Sequence, residues 1–123
     1  MAWRGINTPR ACLDLIASSG ASGAAYLVDA LHHSRCGGPP SDIAGMPAGR
    51  VVSAQLCDAP AIAPSGAEAL LAEARGGRLV PGEGGLDLAG IVGALPAETV
   101  IFAVTRESFR MALAPVRRLD IAE

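Results

Sequence analysis

Apolar residues come along this chain in three short runs, each closed by polar residues. AAYLVDAL (24–31), RVVSAQL (50–56) and ETVIFAVT (98–105) all have strand length, and none alternates strictly between apolar and polar. Such runs suit strands covered on both faces, as in a parallel sheet. Between them the pattern turns helical. TPRACLDLIASSG predicts a short helix with Thr8 as N-cap, Pro9 at the first helical position, Leu13, Ile16 and Ala17 on one face, and Gly20 as the stop. GGPPSDIAGMPAG (37–49) is turn-rich, with room for a helical turn or two around Ser41 to Met46. AEALLAEARGG predicts a helix from Ala67 to Arg75 closed by Gly76, and RLVPGEGG a stiff, glycine-rich connection. LDLAGIVGALP predicts a helix from about Leu86 to Leu95, stopped by Pro96, and SFRMALAPVRRL a final helix that Pro115 kinks or breaks.

The order helix, strand, helix, strand, helices, strand, helix implies an α/β fold in which helical crossovers keep the strands parallel. Three strands are few for that class, and a closed eight-stranded α/β barrel takes roughly 250 residues. A chain of 123 residues holds one domain, with room for half of such a barrel.

Charge narrows the partners. Ten basic residues against twelve acidic ones leave a formal charge of −2, and neither sign forms a run, which argues against nucleic acid or an anionic membrane surface as the main partner. All the basic residues are arginine, so Schiff-base and lysine-base mechanisms are excluded. Half the residues are hydrophobic, and the aromatics are Trp3, Tyr26, Phe102 and Phe109 alone, so the core must be aliphatic. Cys12, Cys36 and Cys57 are odd in number and form no CxxC or CxxH pair, which points to reduced thiols, with Cys57 as a small buried hydrophobe. No apolar run reaches membrane-span length and MAWRGINTPR lacks a secretory apolar stretch, so the expected setting is the cytoplasm.

In parallel α/β folds the chemistry collects at the carboxyl ends of the strands. Here the first strand runs into Asp29, His32 and His33, and the second into Gln55 and Asp58. A carboxylate, an imidazole and an amide oxygen on one rim suit a divalent cation such as Mn²⁺, Mg²⁺, Co²⁺ or Zn²⁺. Alternatively, Asp29 accepts backbone N–H bonds in a loop and the histidines simply end the strand.

VDALHHSRCGGPPSDIAGMPAGRVVSAQLCDAP followed by EARGGRLVPGEGGLDLAGIVGALPAE resembles the C-terminal half of the sugar phosphate isomerase/epimerase family, the xylose isomerase-like TIM barrels. The likeness runs from about Pro9 to Leu119 and rests on three motifs in order: the Asp-x-x-His strand, the QLCDA strand end and the EAR-x-x-R-x-x-PGEG loop. It implies that residues 1–123 are one partial (β/α)8 barrel whose three strands are the sixth, seventh and eighth. It also implies a divalent metal held by Asp29 and Gln55, with His32 beside it binding substrate or relaying a proton. Arg35, Arg75, Arg78 and Glu83 are then placed at the substrate end; for the PGEG loop, a tight turn in which Glu83 pairs with an arginine is the other reading. Two family ligands are missing. One glutamate belongs to an earlier strand, and the position of the other falls on or beside Ala103 and Val104, with Glu107 a few residues further on.

Two functions follow from the resemblance. One is a metal-dependent isomerase, epimerase or dehydratase acting on a sugar, an inositol derivative or a related hydroxy-carbonyl compound, its missing glutamates supplied by another chain. The other is a non-catalytic half-barrel that pairs with itself or with a complementary N-terminal half, because a three-stranded sheet leaves edges and apolar faces open.

Overall fold

The structure, a computed structural model, describes residues 5–105. The expected final helix over 108–119 and Glu107 lie outside the described residues. Helix α1 (Pro9–Ser19) starts as the sequence dictates: the Thr8 hydroxyl accepts the Ala11 N–H at 3.2 Å, Pro9 needs no N–H there, and Gly20 closes the helix at φ 67°. Strand β1 (Tyr26–Asp29) follows, then α2 (Ala30–Arg35), α3 (Pro40–Ala44), β2 (Val51–Leu56), α4 (Ala67–Gly76), α5 (Leu88–Ala94) and β3 (Val100–Ala103).

The first apolar run departs from its expected form. The strand ends at Asp29, and Ala30 to Arg35 turn into a helix that carries both histidines. The cause is local: the Asp29 carboxylate accepts the His32 N–H at 3.1 Å, which makes Asp29 the N-cap of α2. His32 and His33 therefore sit on a helix, one turn past the strand end.

The three strands form one parallel sheet in the order β1-β2-β3. Register sets Leu27 opposite Ser53 opposite Val100, and Asp29 opposite Gln55 opposite Phe102. An irregularity between Tyr26 and Leu27 makes Val52 the extra residue, so Val51 and Ala54 can both reach the core although they are three positions apart. On one face Val28, Val51 and Ala54 pack with Ala30, with Ile43 of α3 and with Ile91 of α5 into an aliphatic cluster. The opposite face carries the rows containing Leu27, Val100 and Phe102, each roughly half exposed. In a closed barrel that face would be the filled interior. A second cluster, Leu31, Cys57, Ala59 and Ala74 with Leu86 against it, sits past the carboxyl ends of β1 and β2 and supports the rim. Among the described residues no helix is long and apolar enough to cross a membrane.

Candidate functional site

At the carboxyl ends of β1 and β2 lies a partly open hollow of about 360 Å³. Asp29, His32, Gln55 and Arg78 all line it, together with Tyr26 and the first turn of α1 around Thr8 and Cys12. The sequence thus brings its motif residues together, but the bonds between them differ from the expected set. Arg78 reaches 49 positions back along the chain to grip Asp29 with both ends of its fork: Nη1 donates to Oδ1 at 3.2 Å and Nη2 to Oδ2 at 2.8 Å. Both side chains are more than nine-tenths buried. The same guanidinium donates through Nε to the Ala74 carbonyl at 2.9 Å and through Nη1 to the Cys57 sulfur at 3.2 Å. Its backbone neighbour Leu79 exchanges two 2.9 Å hydrogen bonds with Asp58, which fixes where the arginine stands.

His32 lies half-buried above this pair. Burial pushes its pKa below the usual histidine value, the Asp29 charge opposes that in part, and Arg78 adds to it. The imidazole is therefore neutral at neutral pH. The Tyr26 phenol is pushed up to about 12, chiefly by burial and then by the thiols of Cys12 and Cys36, so it stays a hydrogen-bond donor. Burial also raises the Cys57 thiol, against the pull of Arg78, which leaves it a thiol and not a nucleophile.

His33 is buried and its Nε2 meets the Pro39 carbonyl at 3.0 Å, tying α2 to the start of α3. Gly38 packs against its ring closely enough that a side chain there would displace it. Arg35 is engaged away from the hollow: Nε and Nη2 donate to both Glu73 oxygens at 2.8 and 2.7 Å, and Nη2 also to the Pro60 carbonyl at 2.7 Å. Arg75 is exposed on α4. Glu83 is exposed as well, beside a second hollow that Arg78, Val80 and Thr105 share, and among the described residues no ion pair includes it.

The residue that organises the PGEG loop is Asp58, not Glu83. Its carboxylate accepts N–H bonds from Ala59 at 2.9 Å, Gly82 at 3.0 Å and Leu86 at 3.0 Å. Burial alone would raise its pKa, but these bonds and one from Gly84 outweigh it and hold the carboxyl below its usual value. Gly82 sits at φ 95°, and a Cβ on Gly84 would overlap the Ala59 carbonyl and the Asp58 carboxylate. Those glycines are thus required by the turn itself. Sequence reasoning noted Asp58 only as a strand-end residue and passed over Glu73 and Tyr26; an aspartate two residues past a strand, ahead of a glycine-rich loop, was the available signal for Asp58.

The donors present do not fit a resident divalent cation. Both oxygens of Asp29 are committed to Arg78, so the site carries no net negative charge. Gln55 adds one amide oxygen, and the position opposite it on β3 holds Phe102, with Ala103 next, in place of a carboxylate. Among the described residues no three His, Cys, Asp or Glu side chains are grouped to hold a metal.

No family model matches the sequence. The chain is 32% identical over 93 residues to a 3-dehydroshikimate dehydratase of Pseudomonas aeruginosa; the match covers 75% of this chain and 14% of that protein. Among solved structures, a xylose isomerase-like TIM barrel/4-hydroxyphenylpyruvate dioxygenase fusion protein superposes with a TM-score of 0.72 at 26% identity, over 85% of this chain and 17% of that one. The IolI protein with a bound zinc atom shares the fold, with a TM-score of 0.63 at 14% identity over 85% of this chain and 37% of its own. The chain thus spans well under half the length of each of these three proteins. Parallel strands, polar residues gathered at their carboxyl ends and these likenesses agree: the chain folds as part of a TIM barrel and is similar to the xylose isomerase-like TIM-barrel proteins.

Proposed function

We propose that the chain is the wall made by strands six to eight of a barrel that moves a proton next to the carbonyl of a hydroxylated, sugar- or inositol-type compound. One observation carries the reading: an imidazole with a lowered pKa opens on the same hollow as the Asp29–Arg78 pair and the Gln55 amide. A neutral imidazole accepts the proton from carbon, and a fixed guanidinium beside it favours the negative charge that develops on the carbonyl oxygen. The proton returns to the neighbouring carbon in an isomerisation or leaves with a hydroxyl as water in a dehydration. Tyr26 and Gln55 offer hydrogen bonds to substrate hydroxyls. The name of the bacterial relative, a dehydratase of 3-dehydroshikimate, supports this class, since water loss from a hydroxy ketone starts with the same proton.

The test is proton NMR of the purified chain in D2O with ketohexoses, an inosose and 3-dehydroshikimate. The proton beside the carbonyl should exchange, and His32→Asn should slow that exchange by about 100-fold. Exchange that survives the substitution would take His32 out of the role.

A second reading is favoured by the open sheet. Leu27, Val100 and Phe102 present an apolar face, and β1 and β3 are edges among the described residues. A second copy, or a complementary half-barrel, would cover both. Native mass spectrometry of the chain decides between a dimer and a monomer awaiting a different partner.

A further inference from the structure

We infer that the Arg78 guanidinium takes, in this chain, the place at the strand ends that a divalent cation would need, and that Asp29 accepts a metal only when Arg78 is withdrawn. The inference concerns occupancy of Asp29 and does not rest on the proposed chemistry. Its basis is how completely Arg78 is fixed. Four of its five N–H groups are committed: two to the Asp29 oxygens, one to the Ala74 carbonyl and one to the Cys57 sulfur. A surface arginine that merely drifted onto a carboxylate would not be anchored at its Nε as well. The backbone under it is pinned from the other side, where Leu79 and Asp58 form their paired bridge. Asp58 in turn is held by the loop N–H groups, so the arginine's position depends on the whole PGEG turn.

Charge and geometry then point the same way. A buried carboxylate must be neutralised, and here a planar fork does so with two bonds while its other donors are also satisfied. A metal approaching Asp29 would have to displace that fork and leave a buried guanidinium without its partner. Among the described residues no compensating carboxylate is at hand, since Phe102 and Ala103 stand on β3 opposite Gln55 and Leu56. The pair is therefore an internal substitute for the ion, and it couples the end of β1 to the segment after α4.

The experiment is a titration of the purified 123-residue chain with Mn²⁺, followed by the electron paramagnetic resonance signal of the free ion, with thermal unfolding recorded on the same samples. The unaltered chain should show no saturable binding below millimolar Mn²⁺ and no rise in melting temperature. Arg78→Met, which keeps the apolar stem and removes the charge, should bind one Mn²⁺ saturably, at least tenfold below the millimolar limit set for the unaltered chain, and adding Asp29→Asn should remove that binding. If R78M does not fold, Arg78→Lys serves in its place: an ammonium leaves one Asp29 oxygen unbonded, and affinity should still rise severalfold. Micromolar binding of one ion by the unaltered chain, lost in D29N, would overturn the inference without any Arg78 variant. So would a folded Arg78 variant whose affinity does not change.

Discussion

At the scale of single residues, Asp58 carries the clearest consequences. Its carboxylate gathers backbone donors from both sides of the loop, so Asp58→Ala strands at least three buried or half-buried N–H groups and should cost about 3 kcal/mol in a denaturant titration. The sign with pH is fixed by the direction of its shift. A carboxyl held below its unfolded value contributes stability that is full above the unfolded pKa and is lost as pH falls through the folded one. Chemical denaturation between pH 7 and pH 3 should therefore show acid loss that D58N lacks. His32 moves stability in the same direction over a higher window. Its folded pKa lies below 6.5, so the unfolded chain binds the proton more readily and stability declines as pH drops through and below 6.5. An NMR titration of the His32 ring should give a midpoint under 6.5, and Asp29→Asn should lower it further, because the carboxylate partly offsets the burial.

At the scale of elements, the caps decide where helices begin. Thr8→Ala should destabilise the chain by about 1 kcal/mol, read as a lower melting temperature with the site's tyrosine environment intact. The α1 start was legible in the sequence because Thr-Pro is a local signal. The α2 start was half legible: Asp29 was expected to accept backbone N–H bonds, yet the apolar run around it still read as strand through Leu31, since periodicity cannot separate a buried strand from the first turn of a buried helix. The Asp29–Arg78 and Arg35–Glu73 pairs were not legible at all. They join residues 49 and 38 positions apart, and no spacing rule reaches across a parallel crossover. The motif residues were found because they crowd the strand ends; their partners were assigned to substrate because composition cannot show that a buried carboxylate is already paired.

At the scale of the molecule, three parallel strands with one covered face make an incomplete enclosure. On the reading in which a second copy covers the open face, Phe102→Arg should lower the mass seen in light scattering, while leaving the Val28, Ala54 and Ile91 cluster untouched; an unchanged mass would remove that reading. The sequence announced this openness through its strand count alone. What it withheld is how the rim is fastened. Two buried charge pairs run from the stretch 73–78 back to the stretch 29–35, so α4 and the segment just after it are clasped to α2 and to the end of β1 with almost no solvent between them. Added salt screens such pairs little, so the rim should hold at ionic strengths that loosen exposed contacts like Arg10–Asp14. In native-state hydrogen exchange the amides of these three segments should then open together, in one cooperative event, and more slowly than those of the exposed edge strand β3.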